Sequence, residues 1–154
     1  MTKITGLNQI IRKMDKMKKS VAPAAKPAIR KALNAGAKEL EKSIKPNVPV
    51  IAQSTNFRQK GTIKNNIRHK TKVAKDGLSG YTVISVKRAK GKRMARVGEN
   101  TRDRTDPFYW WMVEYGTEKM EGRHFMKRAA ESNKGRVLKV TREKFIEEIQ
   151  KIKF

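Results

Sequence analysis

The chain lacks cysteine altogether, and it has few aromatic side chains and no long apolar run. Without cysteine there can be no disulfide, no thiolate metal site and no cysteine nucleophile, and the composition fits a reducing compartment such as a cytoplasm. No run approaches the roughly 18 apolar residues that a membrane-spanning helix needs. Because charged residues interrupt the N-terminal segment throughout, we expect a soluble protein with no signal peptide and no contact with a membrane.

Acidic residues are also scarce. The chain has 14 Asp and Glu residues and 38 Lys and Arg residues, which gives a net charge of +24. The excess is uneven: residues 1–98 hold 25 basic and 4 acidic side chains, a net +21, whereas residues 99–154 hold 13 and 10, a net +3. Such a field favours a polyanion or an acidic protein surface as a neighbour, with a merely solvated lysine-rich surface as the alternative. The candidate contacts to DNA or to an acidic partner are Lys13, Lys16, Lys18, Lys19, Lys87, Arg88, Lys90, Lys92 and Arg93.

The sequence contains no arrangement of residues that is typical of a catalytic or cofactor site. Neither His69 nor His124 has a second histidine at the spacing of metal ligands. The acidic residues Glu99, Asp103 and Asp106 alternate with arginines, which favours local ion pairs over a cation site. A phosphate-binding glycine loop and a nucleophile elbow are both absent from the sequence. We therefore predict that the protein is not an enzyme and binds no metal or cofactor.

The first third of the chain is expected to form a basic helical arm. Apolar residues recur at helical spacing over residues 4–19, which predicts an amphipathic helix. A second helix is expected to begin near Pro23 or Pro27, because proline suits the first turn of a helix. Together these helices make up the arm, residues 1–45. Residues 46–61 have no helical periodicity and are predicted to form a long loop.

The middle of the chain is typical of an antiparallel meander. Residues 62–73 and 81–89 are rich in β-branched residues and alternate polar with apolar side chains, and residues 93–98 form a third candidate strand. Short turns between consecutive strands favour antiparallel pairing. We therefore predict one α+β domain, residues 1–154, in which an antiparallel sheet of three to four strands is packed by N-terminal and C-terminal helices. The sheet, an aromatic motif and the C-terminal helices occupy residues 62–154.

The end of the chain shows helical periodicity again. One helix is predicted from His124 to about Ser132, and an amphipathic stripe that includes Leu138 and Phe145 predicts a final helix. Gly135 lies between these two segments and is a candidate break or bend.

Both tryptophans lie in the segment RDRTDPFYWWMVEYG, which has helix signals at each end. Asp106 can cap the N-terminus of a helix, and Gly116 suits the position after its last residue. In a helix, Trp111 and Tyr115 would share the face directed at the core, and Trp110 would point toward a partner. A strand is the alternative structure for this segment.

Glu114 is unusual because a carboxylate within an aromatic run is costly to bury without a partner. An ion pair with Arg123 or another basic residue is the favoured interpretation, and a catalytic carboxylate is the alternative. The pair would gain a further role if the arginine belonged to a neighbouring subunit.

The segment YWWMVEYGTEKMEGRHFMKRAAE, residues 109–131, resembles the hallmark of a family of bacteriophage tail-component proteins. These are the small head–tail connector or tail-completion proteins of tailed phages. In their hallmark an aromatic run leads to Val-Glu-Phe/Tyr-Gly-Thr, which residues 113–117 match at every position. A Pro-Phe pair and a helix that starts with small residues follow in the family. His124 and Phe125 stand at the place of that pair here.

The resemblance extends in the same order over roughly residues 25–150. VPV at residues 48–50, GTIKNNI at 61–67 and ARVG at 95–98 are similar to further elements of the family. The chain departs from the family at Lys60, where threonine is usual, and in its longer loop and extreme charge.

This resemblance implies a virion structural protein at the neck or top of the tail, which completes the tail and joins it to the head connector. It implies a ring of six subunits or a multiple of six, with connector, tail-terminator or tail-tube proteins as neighbours and with nonspecific contact to packaged DNA. The protein would occur in the virion, and in the host cytoplasm during assembly. A sequence-nonspecific nucleic-acid-binding protein, ribosome-associated or chromatin-like, is the alternative. The candidate interface residues are Trp110, Trp111, Glu114, Tyr115, Gly116, Thr117, Arg123 and Phe125.

Overall fold

The computed structural model describes residues 7–88 and 103–152. It confirms an α+β fold, in which helices accompany antiparallel strands. In this part of the chain no helix combines the length and the apolarity needed to cross a membrane. The elements are α1 (Leu7–Ile44), a 3-10 turn (Lys45–Asn47), α2 (Thr62–Asn65), β1 (Ile67–Val73), β2 (Gly80–Val86), α3 (Trp110–Tyr115), β3 (Gly116–Thr117), β4 (Met120–Glu121) and α4 (Phe125–Gln150).

The helical arm is one continuous helix of 38 residues, so the prediction of two helices separated near Pro23 or Pro27 was wrong. A proline inside a helix removes one backbone hydrogen bond and costs about 3 kcal/mol. The two prolines are four residues apart and both are exposed, so they share the outer face of α1. Ala25, Ala28 and Ala32 are buried on the inner face, and their packing maintains the helix across both prolines.

Helix α4 is also continuous, and its packing against α1 is the most extensive contact between two elements. Of the two alternatives at Gly135, a break or a bend, the break was wrong, because α4 runs through this exposed glycine without interruption. The close approach of the two helices occurs at Gly36, where an added Cβ would lie 2.0 Å from Thr141 Oγ1. Ion pairs cross the same contact, with Lys31 Nζ 2.6 Å from the Glu148 carboxylate.

The predicted sheet of three to four strands was wrong for the described residues, which contain two separate two-stranded sheets. Strands β1 and β2 pair antiparallel from Ile67 opposite Val86 to Val73 opposite Gly80. Strands β3 and β4 form a second, much shorter pair. The start of the predicted strand 62–73 is the helical turn α2, and the third candidate strand, 93–98, lies outside the described residues.

One face of the β1–β2 ribbon packs on α1. Ile67, His69 and Thr71 point toward the helix, where Thr71 Oγ1 donates to Asn34 Oδ1 at 2.6 Å and His69 Nδ1 lies 2.9 Å from Glu41 Oε1. Because side chains alternate along a strand, the residues between them point outward.

The core is small and lies where the end of α1, the ribbon and the start of α4 meet. Phe125 and Ile67 are fully buried at its centre. Partly buried side chains of α3 cover it from one side. Its buried members are Ile44, Val48, Ile63, Ile67, Val86, Phe125 and Ala129.

Candidate functional site

The candidate site is the corner formed by α3, the β3–β4 hairpin and the first turn of α4. Asp106 precedes this corner but does not cap α3, whose first flanking residue is Tyr109 without a side-chain cap. Instead, Asp106 is fully buried and accepts hydrogen bonds from the Arg88 guanidinium, with Nε 3.0 Å from Oδ1. The hydrogen bond to Asp106 raises the pKa of Arg88 further above its ordinary value.

This ion pair corrects the role expected of Arg88. Its side chain is 3% exposed, so it has little surface left for DNA or for an acidic partner. A buried guanidinium requires a carboxylate because an unpaired charge in the interior is very costly. The pair joins the end of β2 to the segment that leads into α3, and it holds the corner against the ribbon.

The long loop is attached to the same corner. The Arg58 guanidinium lies over the rings of Phe108 and Tyr109, 4.6 and 4.7 Å from their centroids. The backbone N–H of Gln59 donates to the carbonyl of Arg104 at 3.1 Å. Such cation–π contacts each stabilise by about 0.5–2 kcal/mol, and nothing in the local sequence pattern pointed to them.

Glu114 acts as a tertiary cap for α4. Its carboxylate is 2% exposed and accepts the backbone N–H groups of Met126 and Lys127, each at 3.0 Å. The first N–H groups of a helix have no partner within the helix and carry the positive end of its dipole, so a carboxylate is well placed there. His124, the residue that flanks α4, adopts a left-handed conformation with φ 48° and supplies no cap of its own.

The expected ion pair between Glu114 and Arg123 was wrong. No cation within the described ranges lies within ion-pair distance of Glu114. Arg123 is exposed, and its backbone N–H donates to Val113 O at 2.8 Å. The capping role could not be recognised from sequence, because Glu114 is far from the helix start along the chain.

Two glycines let the hairpin fold back on α3. Helix α3 ends at Gly116 as predicted, with φ 88° and ψ −180°, a conformation open essentially to glycine alone. A Cβ at Gly116 would lie 2.7 Å from the backbone of Met120, and a Cβ at Gly122 would lie 2.6 Å from that of Tyr115. The position of Gly116 in the hallmark therefore has a steric reason.

The orientation predicted for the aromatic side chains of α3 was wrong. Trp110 and Val113 are partly buried and pack against the core, whereas Tyr115 is 67% exposed and Trp111, also partly buried, does not pack on the core cluster. Helix α3 begins at Trp110, and residues three and four positions apart share one face of a helix. The inner face of α3 is therefore formed by Trp110, Val113 and Glu114. Of the other candidates, Phe125 is a core residue and Thr117 is exposed.

An apolar groove of about 700 Å³ lies between α1, β2, α3 and α4. Leu33, Ile84 and Trp110 line its floor, and Tyr115 and Leu138 stand at its open side. Leu138 is 59% exposed. The helical stripe of the last helix pointed to Leu138, but the sequence could not show that the stripe is left uncovered. Contiguous apolar surface of this kind marks an interaction site.

The basic candidates are not gathered at one place. Lys16, Lys18 and Lys19 are exposed on α1, and Lys87 is exposed at the opposite end of the ribbon from the hairpin turn. The side chain of Lys13 and the whole of residues 90, 92 and 93 lie outside the described part. No group of three metal-ligating side chains is found where the chain is described.

Comparison with protein families matches residues 8–116 to the HK97-gp10-like family, described as "Bacteriophage HK97-gp10, putative tail-component". The chain belongs to this family. It is therefore a phage tail-related structural protein and, as a tail component, a part of the virion. The match runs from α1 to Gly116, the glycine that ends α3, so the rest of the β3–β4 hairpin and α4 lie beyond the matched region. Comparison with the curated proteins and with the solved structures returned no match.

Proposed function

We propose that this tail component forms a ring at the neck, where it completes the tail and joins it to the head connector. The observation that carries the proposal is the family match over residues 8–116. The ring would hold six subunits or a multiple of six, and it would contact connector, tail-terminator or tail-tube proteins. The protein would assemble in the host cytoplasm.

The exposed part of α1 supports a role in assembly. At 38 residues the helix is about 57 Å long. Its described side chains between residues 12 and 20 are all exposed, and buried residues begin only at Ala25. The exposed stretch, residues 12–20, is shorter than the roughly 12–15 residues that an isolated helix needs in water, so packing on a neighbouring subunit would stabilise it.

The groove supports the same role. Its open side presents Tyr115 and Leu138 beside a corner that is held rigidly by the Glu114 cap and by the buried ion pair of Arg88. Large apolar side chains on a rigid support are typical anchors of a subunit interface. We therefore assign the groove to contact with the next subunit of the ring.

The test is complementation of a phage that lacks this gene, with Leu138→Glu as the variant and Lys134→Gln as the matched control. Both residues are exposed on α4, and each substitution lowers the net charge by one. We expect Leu138→Glu to yield heads without joined tails in electron micrographs and a loss of titre of at least 100-fold. The control should assemble normally. Absence of the wild-type protein from purified virions would refute the tail role and would favour the nonspecific nucleic-acid-binding alternative.

A further inference from the structure

We propose that the outer face of the β1–β2 ribbon binds the phosphate backbone of duplex DNA without reading its sequence. The pairing register directs Arg68, Lys70 and Lys72 of β1 to this face, opposite Val83 and Tyr81 of β2. All five are exposed. We call these five residues the ribbon face. DNA binding by this face does not depend on the position proposed for the protein in the tail.

No cation of the ribbon face has a carboxylate partner among the described residues, whereas several cations at the C-terminal end of α4 do. On α4, Lys144 and Lys151 form ion pairs with Glu147 and Glu148. No such pair involves a cation of the ribbon face in the part of the chain that is described. Glu41 lies on the opposite side of the ribbon, where it holds His69. The positive potential of this face is therefore not neutralised locally, and it is available to an external anion.

The geometry of the ribbon suits a DNA backbone. Alternate residues of a strand are about 6.7 Å apart, so Arg68 and Lys72 are separated by about 13 Å. Duplex DNA presents one phosphate per 3.4 Å of axis on each strand, so three cations over that length can each reach a phosphate. The Tyr81 hydroxyl, directly across from Lys72, adds a donor of the kind that commonly contacts phosphate.

The composition of the ribbon face favours DNA over a protein partner. Its apolar surface is limited to Val83 and to the ring of Tyr81, which is less than the core of a protein interface uses. The large apolar side chains are gathered in the groove instead. The face lacks the Asn, Gln and acidic side chains that read adenine and cytosine edges, and contacts from its cations to phosphates carry no sequence information.

The experiment measures binding of the full-length chain to a fluorescent 20-base-pair duplex by anisotropy over a series of salt concentrations. The variant is Arg68→Gln/Lys70→Gln/Lys72→Gln. Each phosphate contact contributes a slope of about 0.9 to the dependence of log K on log salt. We expect the slope to fall by about 2.7, and the affinity to fall by up to about 500-fold at 0.1 M salt. A variant with Lys70→Arg and Lys72→Arg should retain the affinity, because it keeps both charges.

The matched control is Lys134→Gln/Lys139→Gln/Arg142→Gln, which removes the same three charges from the exposed side of α4. We expect it to lose much less affinity than the ribbon variant. Equal losses in both variants would show that only total charge matters and would overturn the proposal. Unchanged binding in a ribbon variant with wild-type circular dichroism would also overturn it. A ribbon variant that keeps DNA affinity but fails to enter particles would reassign the face to an acidic protein.

Discussion

Alanine substitutions at the two glycines inside the long helices should change stability in opposite directions. A glycine in a helix interior is about 1 kcal/mol less favourable than alanine. At Gly135 an added Cβ meets nothing within 4 Å, so Gly135→Ala should raise the free energy of unfolding by about 0.5–1 kcal/mol. For a chain of this size the melting temperature should rise by about 1–4 °C.

The same substitution at Gly36 meets a packed neighbour. The new Cβ would lie 2.0 Å from Thr141 Oγ1 and 3.5 Å from Val137 Cγ1. Thr141 Oγ1 donates to the Val137 carbonyl at 2.8 Å, and rotating it away gives up about 1 kcal/mol. Overpacking of a close contact costs about 1–3 kcal/mol. After the propensity gain of about 1 kcal/mol is subtracted, Gly36→Ala should lower the free energy of unfolding by about 1–3 kcal/mol.

A double mutant separates the two effects. Thr141→Ala removes the clashing oxygen and leaves the Thr141 Cβ 3.4 Å from the new atom, which is close to ordinary contact. In that background Gly36→Ala should be neutral or stabilising, which gives a coupling energy of at least about 1 kcal/mol. The assay is urea unfolding of the purified chain, followed by circular dichroism. If Gly36→Ala stabilises the wild-type chain as much as Gly135→Ala does, α1 and α4 do not meet at this glycine and the reasoning is refuted.

Three further substitutions test the corner and the contact between the helices. Glu114→Gln keeps the shape but replaces one acceptor oxygen with a donor, so it should lower the free energy of unfolding by about 1–3 kcal/mol in thermal or urea unfolding. Asp106→Asn should cost about 3–5 kcal/mol, because it leaves the buried Arg88 without its carboxylate. The hydrogen bond from Lys31 is the main cause that lowers the pKa of Glu148 to about 2. The stabilisation of the folded chain by the ionised Glu148 is complete above about pH 4.5 and is lost as the pH falls toward 2. Glu148→Gln should therefore make the free energy of unfolding less dependent on pH between these two values.

The first two of these tests have a matched control, and the third has a contradicting outcome. Arg123→Gln should leave the free energy of unfolding nearly unchanged. A loss of stability equal to that of Glu114→Gln would show that Glu114 forms an ion pair with Arg123 and does not act only as a helix cap. A double mutant, Arg88→Met with Asp106→Leu, should recover much of the stability lost in Asp106→Asn, since apolar replacement of a buried pair is often tolerated. Identical acid unfolding of the wild-type chain and Glu148→Gln would contradict the role of that carboxylate.

Local patterns sufficed for the parts of this protein that local physics controls. The two strands of the ribbon, the helical ends of the chain and the glycine that terminates α3 all follow from alternation, periodicity and turn chemistry over a few residues. The tail-component family followed from one short hallmark with its flanking elements in order. The same local rules failed at Pro23 and Pro27, because packing against distant residues outweighs a local helix breaker.

The sequence by itself determined the composition of the site, but the tertiary structure decided the function of each side chain in it. Glu114 was recognisable as a carboxylate in need of a partner, yet only folding shows that the partner is the N-terminus of α4. The sequence placed Arg88 among the surface cations. In the fold its guanidinium is paired in the interior with Asp106, 18 positions away along the chain. Likewise, the exposure of Tyr115 and the packing of the partly buried Trp110 on the core depend on where α3 begins and on what it packs against. Burial and long-range pairing are properties of the folded chain. They depend on contacts between segments that are far apart along the sequence, and local sequence patterns do not show which distant segments will meet.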